Sequence, residues 1–178
     1  LDVPTYGHAS LAALLASPFF DDNSRARYQG AATAALAIAE NAFKQRTVKT
    51  QSVHGDCHVG NILWDSNGPF FLDFDDSLTG PPVQDIWMIV RGRDETAIKA
   101  RDTLLSGYEE MREFDRSTLR LIEPLRALRL IHYAAWIARR WEDPSFPRLF
   151  PLFGTSRYWQ EEIEALEETR LSIESSQW

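Results

Sequence analysis

Between His54 and Asp73 the chain gathers side chains that could do chemistry. The order is His54-Gly55-Asp56-Cys57-His58-Val59-Gly60-Asn61, then Ile62-Leu63-Trp64, a polar turn at Asp65-Ser66-Asn67-Gly68-Pro69, and Phe70-Phe71-Leu72-Asp73. Asp56 and Asn61 stand five positions apart on one loop. The apolar runs on either side of Asn67-Gly68 predict a β-hairpin that brings Asp73 back beside Asn61. Two carboxylates and a carboxamide so spaced suit phosphoryl transfer. Asp56 would take the proton of an attacking hydroxyl, while Asn61 and Asp73 would hold magnesium against the phosphates, an ion that needs few protein ligands. Asn61 precedes a β-prone run, so the strand that follows would fix it.

The neighbouring residues carry other readings. His54, placed before Gly55-Asp56, is read as a residue that locks the loop through hydrogen bonds rather than one that acts chemically. His54, Asp56 and His58 also alternate like metal ligands, and a zinc or two-metal hydrolase with a bound-water nucleophile is the competing idea. It calls for further His or Cys ligands, and only His8 and His132 remain, neither in a metal-type motif. Cys57 is a poor nucleophile candidate because no other part of a Cys-His-Asn arrangement can be placed.

Composition narrows the class. With 178 residues, 44% of them hydrophobic, and six Trp and ten Phe, the chain has the material for one sizeable core and is read as a single globular domain. A net charge of −7 argues against nucleic acid or an anionic membrane as the main partner. One cysteine rules out an internal disulfide framework and fits a reducing cytoplasm. No apolar run reaches the ~18 residues of a membrane span. Leu11 to Phe20 resembles a signal-peptide core, but Asp2 precedes it without a basic segment, so a packed helix is the reading.

The elements that must position the loop follow from capping and periodicity. Leu1 to Gly7 reads as a Pro- and Gly-containing loop, Ser10 to Ala16 as a short helix ended by Ser17-Pro18, and Asp21 to Ser24 as the cap of a helix through about Lys44. Thr50 to Val53 is a β segment entering the loop. Thr79-Gly80-Pro81-Pro82 reads as a turn, followed by a helix over Val83 to Val90 with Ile86, Met88 and Ile89 inward. Asp94 would cap a helix to about Phe114, carrying Ile98, Leu104, Leu105 and Tyr108. Asp115 or Ser117 would start the next, with Leu121, Leu125, Leu128, His132, Ala135 and Trp136 in a stripe and His132 a core histidine. Pro144, Pro147 and Pro151 mark a loop anchored by Phe146, Phe150 and Phe153. The last helix runs from Ser156 to about Ser172, and Glu161, Glu162, Glu164, Glu167 and Glu168 form a solvated acidic face. Arg126, Arg129, Arg139 and Arg140 are read as solvated, ion-paired positions, with an acidic-substrate surface as the alternative.

The His54–Trp64 motif, with Leu72-Asp73-Phe74-Asp75-Asp76 and Gly80-Pro81-Pro82-Val83-Gln84-Asp85-Ile86-Trp87, resembles the aminoglycoside phosphotransferase and choline kinase superfamily. Within it the chain is similar to the stress response kinase A (YihE/RdoA) group of bacterial Ser/Thr protein kinases, a likeness extended by Glu123–Arg129 and Trp141–Pro147. The resemblance implies an α+β, mainly helical fold: the C-terminal lobe of a kinase, with a short hairpin carrying the metal site. It implies Asp56 as catalytic base, Asn61 and Asp73 as ligands of Mg2+ and ATP, and Asp85 as a support of the loop. His58 and Asp75 are possible additions.

Three positions depart from the protein-kinase pattern. Gly55 stands where an Arg would pair with a phosphorylated loop. Asp75 stands where Asp-Phe-Gly has its Gly. Only seven residues separate Asp73 from Pro81, so constitutive competence is the expectation. Neither a Gly-rich loop nor a nucleotide-gripping Lys precedes His54, and the chain alone is expected to be slow or inactive without an N-terminal lobe. The acceptor implied is a Ser or Thr hydroxyl of a protein. A small-molecule alcohol such as an aminoglycoside, choline or homoserine is the alternative, and a non-catalytic binding module is the other. A cytoplasmic monomer is expected.

Overall fold

The computed structural model describes residues 1–45 and 47–175, and the chain divides into two compact units. One comprises Leu1 and Val48–Ile122; the other comprises Asp2–Thr47 and the residues from Glu123 on. In chain order the elements are α1 (Ser10–Leu15), α2 (Asp22–Lys44), β1 (Gln51–Val53), β2 (Ile62–Asp65), β3 (Gly68–Phe71), β4 (Leu78–Gly80), α3 (Val83–Ile89), α4 (Glu95–Met111), α5 (Ile122–Arg139), α6 (Ser145–Leu149) and α7 (Ser156–Ser175). Helices dominate, and the strands make two small antiparallel sheets, β1 with β4 and β2 with β3. Among the described residues no helix is long and apolar enough to cross a membrane.

The helical unit is organised by α2 packing on α7. Asp21 starts α2 by accepting the Ser24 N–H at 2.7 Å. Its small residues Ala32, Ala35 and Ala39 are buried beside Leu36, and the buried face of α7 is Trp159, Ile163 and Leu166. Alanines let the two backbones approach, while Phe20 stacks on Trp159 at 3.8 Å between ring centres and adds apolar area. From α5, Leu125, Leu128 and Ala135 are buried. His132 is half-buried, with Nδ1 3.0 Å from the Ser10 hydroxyl and its ring against Tyr6.

Three sequence readings are corrected here. Val3–Ala9, expected within a loop, is a wide helical turn running into α1, because Asp2 accepts the Thr5 N–H at 2.7 Å and Pro4 falls where a helix needs no N–H. The Pro144–Pro151 segment contains α6, begun by Asp143 accepting from Ser145 at 2.9 Å, with Pro147 again in a first turn. The basic cluster follows its expected reading: Arg126 pairs with Glu123 at 3.2 Å and Arg139 and Arg140 are exposed, while Arg129 and Arg140 also lie over the rings of Tyr133 and Trp136. Glu162 does not share the solvated face of α7: its Oε2 is buried without a hydrogen-bond partner among the described residues.

In the other unit, α4 begins at Asp94, which accepts from Ala97 at 2.7 Å, and it ends at Met111, short of Phe114. Leu105 is buried while Ile98 is exposed, so only part of the α4 periodicity marks a packed face. Leu78–Gly80, read partly as turn, is β4. It pairs with β1 in the register Gln51↔Gly80, Ser52↔Thr79 and Val53↔Leu78. A three-residue strand completed by a distant partner leaves no periodic signal.

Burial pushes the Glu162 carboxyl up to about 7, with Glu161 adding to the shift and Tyr158 opposing it. Because the folded value exceeds the ordinary 4.5, this contribution to stability is complete below about pH 4.5 and is lost as pH rises through about 7. Burial, with Arg139, Arg129 and Arg140, pushes His132 the other way, to about 4, so its contribution is lost as pH falls from 6.5 toward 4. Thermal melts of Glu162→Gln are therefore expected to show a gain on the order of 2 kcal/mol over the parent at pH 8. The gain shrinks toward nothing at pH 4.5, and the acid-side loss from His132 remains.

Candidate active site

The His54–Asn61 loop is held by α3. Asp85, in the first turn of that helix, accepts the His54 N–H on Oδ2 at 2.8 Å and the Gly55 N–H on Oδ1 at 3.0 Å. Two backbone donors on one carboxylate are charge-assisted bonds, roughly twice as strong as neutral ones. The preceding residue closes the other side. Buried Gln84 donates to the Gly55 carbonyl at 2.8 Å and accepts the Trp87 indole N–H at 3.0 Å. Gly55 sits at φ +87, and a Cβ there would lie 2.2 Å from the Asp76 carbonyl oxygen. Only glycine combines that dihedral with that approach.

His54 is 7% exposed. Its Nε2–H donates to the Leu72 carbonyl at 2.8 Å, which ties the loop to the end of the hairpin, and its ring leans on Phe74 at 4.7 Å. Nδ1 is buried with no hydrogen-bond partner among the described residues. The hairpin pairs Ile62↔Phe71, Leu63↔Phe70, Trp64↔Pro69 and Asp65↔Gly68, so its reversal lies at Ser66-Asn67, one residue before the Asn67-Gly68 that marks it in the sequence. Beyond the ladder the Leu72 N–H donates to the Asn61 carbonyl at 2.9 Å. The next residue, Asp73, is thereby carried to the neighbourhood of Asn61. Asp73 adopts φ 61, ψ 65, a left-handed conformation that Asp tolerates better than most residues, and the chain turns there into the Phe74–Asp76 turn.

Asn61 Nδ2 donates to the Asp56 carbonyl at 3.0 Å. The same carbonyl accepts the His58 N–H at 2.8 Å, and the Asn61 N–H returns to the His58 carbonyl at 2.9 Å. With Nδ2 so engaged, Oδ1 of Asn61 is the atom left for a cation. The Asp73 side chain is exposed and forms no hydrogen bond or ion pair among the described residues. Two hard oxygen donors at adjacent strand ends fit Mg2+, which completes its shell with water and phosphate oxygens. Asp75 is exposed on the turn after Asp73.

The zinc arrangement does not form. Among the described residues no three His, Cys, Asp or Glu side chains converge to hold a metal ion. His54 Nε2 is taken up by the Leu72 carbonyl, and His58 Nδ1 accepts the Gly60 N–H at 3.0 Å. Cys57 is buried, and burial, with Asp85 and Asp56 nearby, pushes its thiol up to about 11, which removes the thiolate a nucleophile needs. Sequence reasoning did not single out Gln84, Trp87 or the carbonyls of Leu72 and Asp76. The first two sit in the motif after Pro81-Pro82, where helical spacing places Gln84 and Trp87 on one side, the only available signal.

The sequence matches the phosphotransferase enzyme family over residues 6–122, more than half of its length, and the chain belongs to that family. Within it, stress response kinase A of Escherichia coli (strain K12) is 46% identical over 128 residues, covering 72% of this chain and 39% of that protein. The serine/threonine protein kinase RdoA of Salmonella typhimurium (strain LT2) is 46% identical over 123 residues, covering 68% of this chain and 37% of that protein. The chain therefore matches well under half the length of these relatives. The crystal structure of a spectinomycin phosphotransferase in complex with ADP and spectinomycin overlays with a TM-score of 0.53 at 15% identity, over 95% of this chain and 56% of that one. The likeness shows a shared fold, mainly helical with small sheets.

Replacing Asp85 by Ala strands two backbone donors at once. Asp85→Ala is expected to destabilise this unit by roughly 3 kcal/mol in denaturant titrations and to speed amide exchange at His54 and Gly55. Asp85→Asn, which keeps one acceptor, is expected to lose about half as much. Unchanged exchange at both amides in Asp85→Ala would show that the carboxylate does not hold the loop.

Proposed function

We propose that the chain carries the phosphoryl-transfer centre of an ATP-dependent Ser/Thr protein kinase of the stress response kinase A type. The observation that carries this reading is the closed circuit of loop and hairpin. Asn61 is bonded to the Asp56 carbonyl through its side chain and to Leu72 through its backbone, so both oxygen donors and the Asp56 carboxylate belong to one braced unit. Similarity to a relative named as a serine/threonine protein kinase supports the acceptor class.

In this mechanism the acceptor hydroxyl attacks the γ-phosphorus, the bond from phosphorus to the β,γ-bridging oxygen breaks, ADP leaves with that electron pair, and the hydroxyl proton passes to the Asp56 carboxylate. Asn61 Oδ1 and Asp73 would hold Mg2+, which when bound would supply positive charge against the phosphates. Asp85 and His54 act only by keeping the loop and the hairpin end in register. The nucleotide-gripping lobe is assigned to chain outside these 178 residues. Support comes from the hairpin, where Leu63, Trp64, Phe70 and Phe71 are exposed, Trp64 at 76%. Apolar surface gathered in that way marks a face that is covered in the working protein.

The test is transfer of γ-phosphate from Mg-ATP to Ser/Thr peptides by the protein carrying its native flanking chain. Asp56→Ala is expected to lower kcat by about a thousandfold with little change in the KM for ATP. Asp73→Ala is expected to abolish Mg-ATP binding in calorimetric titration. A fully active Asp56→Ala protein would overturn the reading. Transfer to aminoglycosides or choline with none to peptides would move the acceptor to small-molecule alcohols.

A further inference from the structure

We propose that His58 is a positioning residue for the Asp56 carboxylate: one ring nitrogen is anchored on the turn that carries Asn61, and the other presents an N–H beside Asp56. The inference rests on the phosphotransferase reading of Asp56 and names a device that the motif alone does not. Its first element is tautomeric. His58 Nδ1 accepts the Gly60 N–H at 3.0 Å. A ring nitrogen that accepts an N–H carries a lone pair, so in the neutral ring the proton lies on Nε2. That Nε2 is 3.6 Å from Asp56 Oδ2. The separation is just beyond hydrogen-bond length, and contacts of this kind tighten when substrate is bound.

The second element is the seat of the ring. A Cβ at Gly60 would lie 2.8 Å from His58 Cε1 and 2.9 Å from Nδ1. Glycine at 60 leaves the space the imidazole occupies. Gly60 is not among the residues with positive φ, so an alanine there would displace the ring without straining the backbone. The third element is the turn itself. Val59–Asn61 is a single helical turn capped by His58, and the Asn61 N–H returns to the His58 carbonyl. One residue thus spans both functional ends of the loop, Asp56 by its Nε2 and Asn61 by its backbone.

Two substitutions separate positioning from architecture. His58→Asn keeps an oxygen near the place of Nδ1 to accept the Gly60 N–H but has no reach to Asp56. His58→Gln keeps an N–H at the reach of Nε2. In peptide phosphorylation by the protein with its native flanking chain, His58→Asn is expected to lower kcat about tenfold with the KM for ATP and the melting temperature unchanged. His58→Gln is expected to restore most of kcat, and Gly60→Ala to resemble His58→Asn. Wild-type kcat in His58→Asn, or equal loss in Asn and Gln, would overturn the proposal. A readout independent of turnover is the nitrogen-15 spectrum of the His58 ring, expected to show Nδ1 bare and Nε2 protonated in the neutral ring. The opposite tautomer would overturn the proposal even in a fully active protein. An intact tautomer and His58 response with full activity in Asp56→Ala would overturn instead the reading of Asp56.

Discussion

The acceptance of two consecutive backbone N–H groups by the Asp85 carboxylate is the constraint on which the rest of the site depends. A loop that must expose Asp56 and Asn61 cannot satisfy its own amides with a regular ladder, and each buried unpaired N–H costs on the order of 1–3 kcal/mol. A carboxylate on a neighbouring helix meets both. Its position fixes the peptide planes at His54 and Gly55, and through them the direction in which Asp56 leaves the loop. Gln84 adds the matching acceptor-side bond to the Gly55 carbonyl, so donor and acceptor of that peptide segment are both held by α3. The dihedral forced on Gly55 and the approach of the Asp76 carbonyl follow from that grip.

The hairpin is coupled to the loop through carbonyls. His54 holds Leu72 by its side chain, Leu72 holds Asn61 by its N–H, and Asn61 holds Asp56 by its carboxamide. Each bond uses a group whose position is already set by another, so a displacement at one end is felt at the other. Short, mutually constrained polar links of this kind give the precision that positioning within about half an ångström demands. They also explain why Asp73 occupies a left-handed conformation: the strand must stop at Leu72 to bond Asn61, and the chain then has to turn at once.

Much of this was legible in the sequence and some was not. The order of Asp56, Asn61 and Asp73 around Asn67-Gly68 foretold a loop and hairpin because hairpin turns and β-prone runs are local signals. Asp21 and Asp94 foretold the starts of α2 and α4 for the same reason, whereas Asp115 caps a short tight helical segment, Arg116–Leu121, that runs into α5. β4 leaves no local signal because its partners lie 25 to 29 positions upstream, from Val53↔Leu78 to Gln51↔Gly80, and pairing over that distance has no local pattern. The helices at Val3–Ala9 and Ser145–Leu149 were missed because proline was read as a breaker, whereas in a first turn it lacks only an N–H the helix does not use. Glu162 departs from the other acids of α7 because it stands one position before buried Ile163 and four before buried Leu166. Side-chain periodicity could have separated it; composition could not. At the site, atom-level roles such as the Gly60 seat for His58 are set by contacts that no spacing encodes.

The short segment after Asp73 bears on control of the site. In place of a long mobile activation segment, the chain makes the Phe74–Asp76 turn, closed by Ser77 N–H to the Phe74 carbonyl at 3.0 Å, and then enters β4 at once. The Asp76 carbonyl is packed against Gly55, and β4 is laddered to β1, the strand that delivers the loop. Both ends of the segment are therefore fastened to the elements they would otherwise have to find. The position before Asp56 is glycine, with no guanidinium to recruit a phosphate, so ordering of the loop draws on Asp85 and Gln84, which are present in every copy of the chain. A loop whose acceptors are covalently part of the same unit pays its ordering cost at folding.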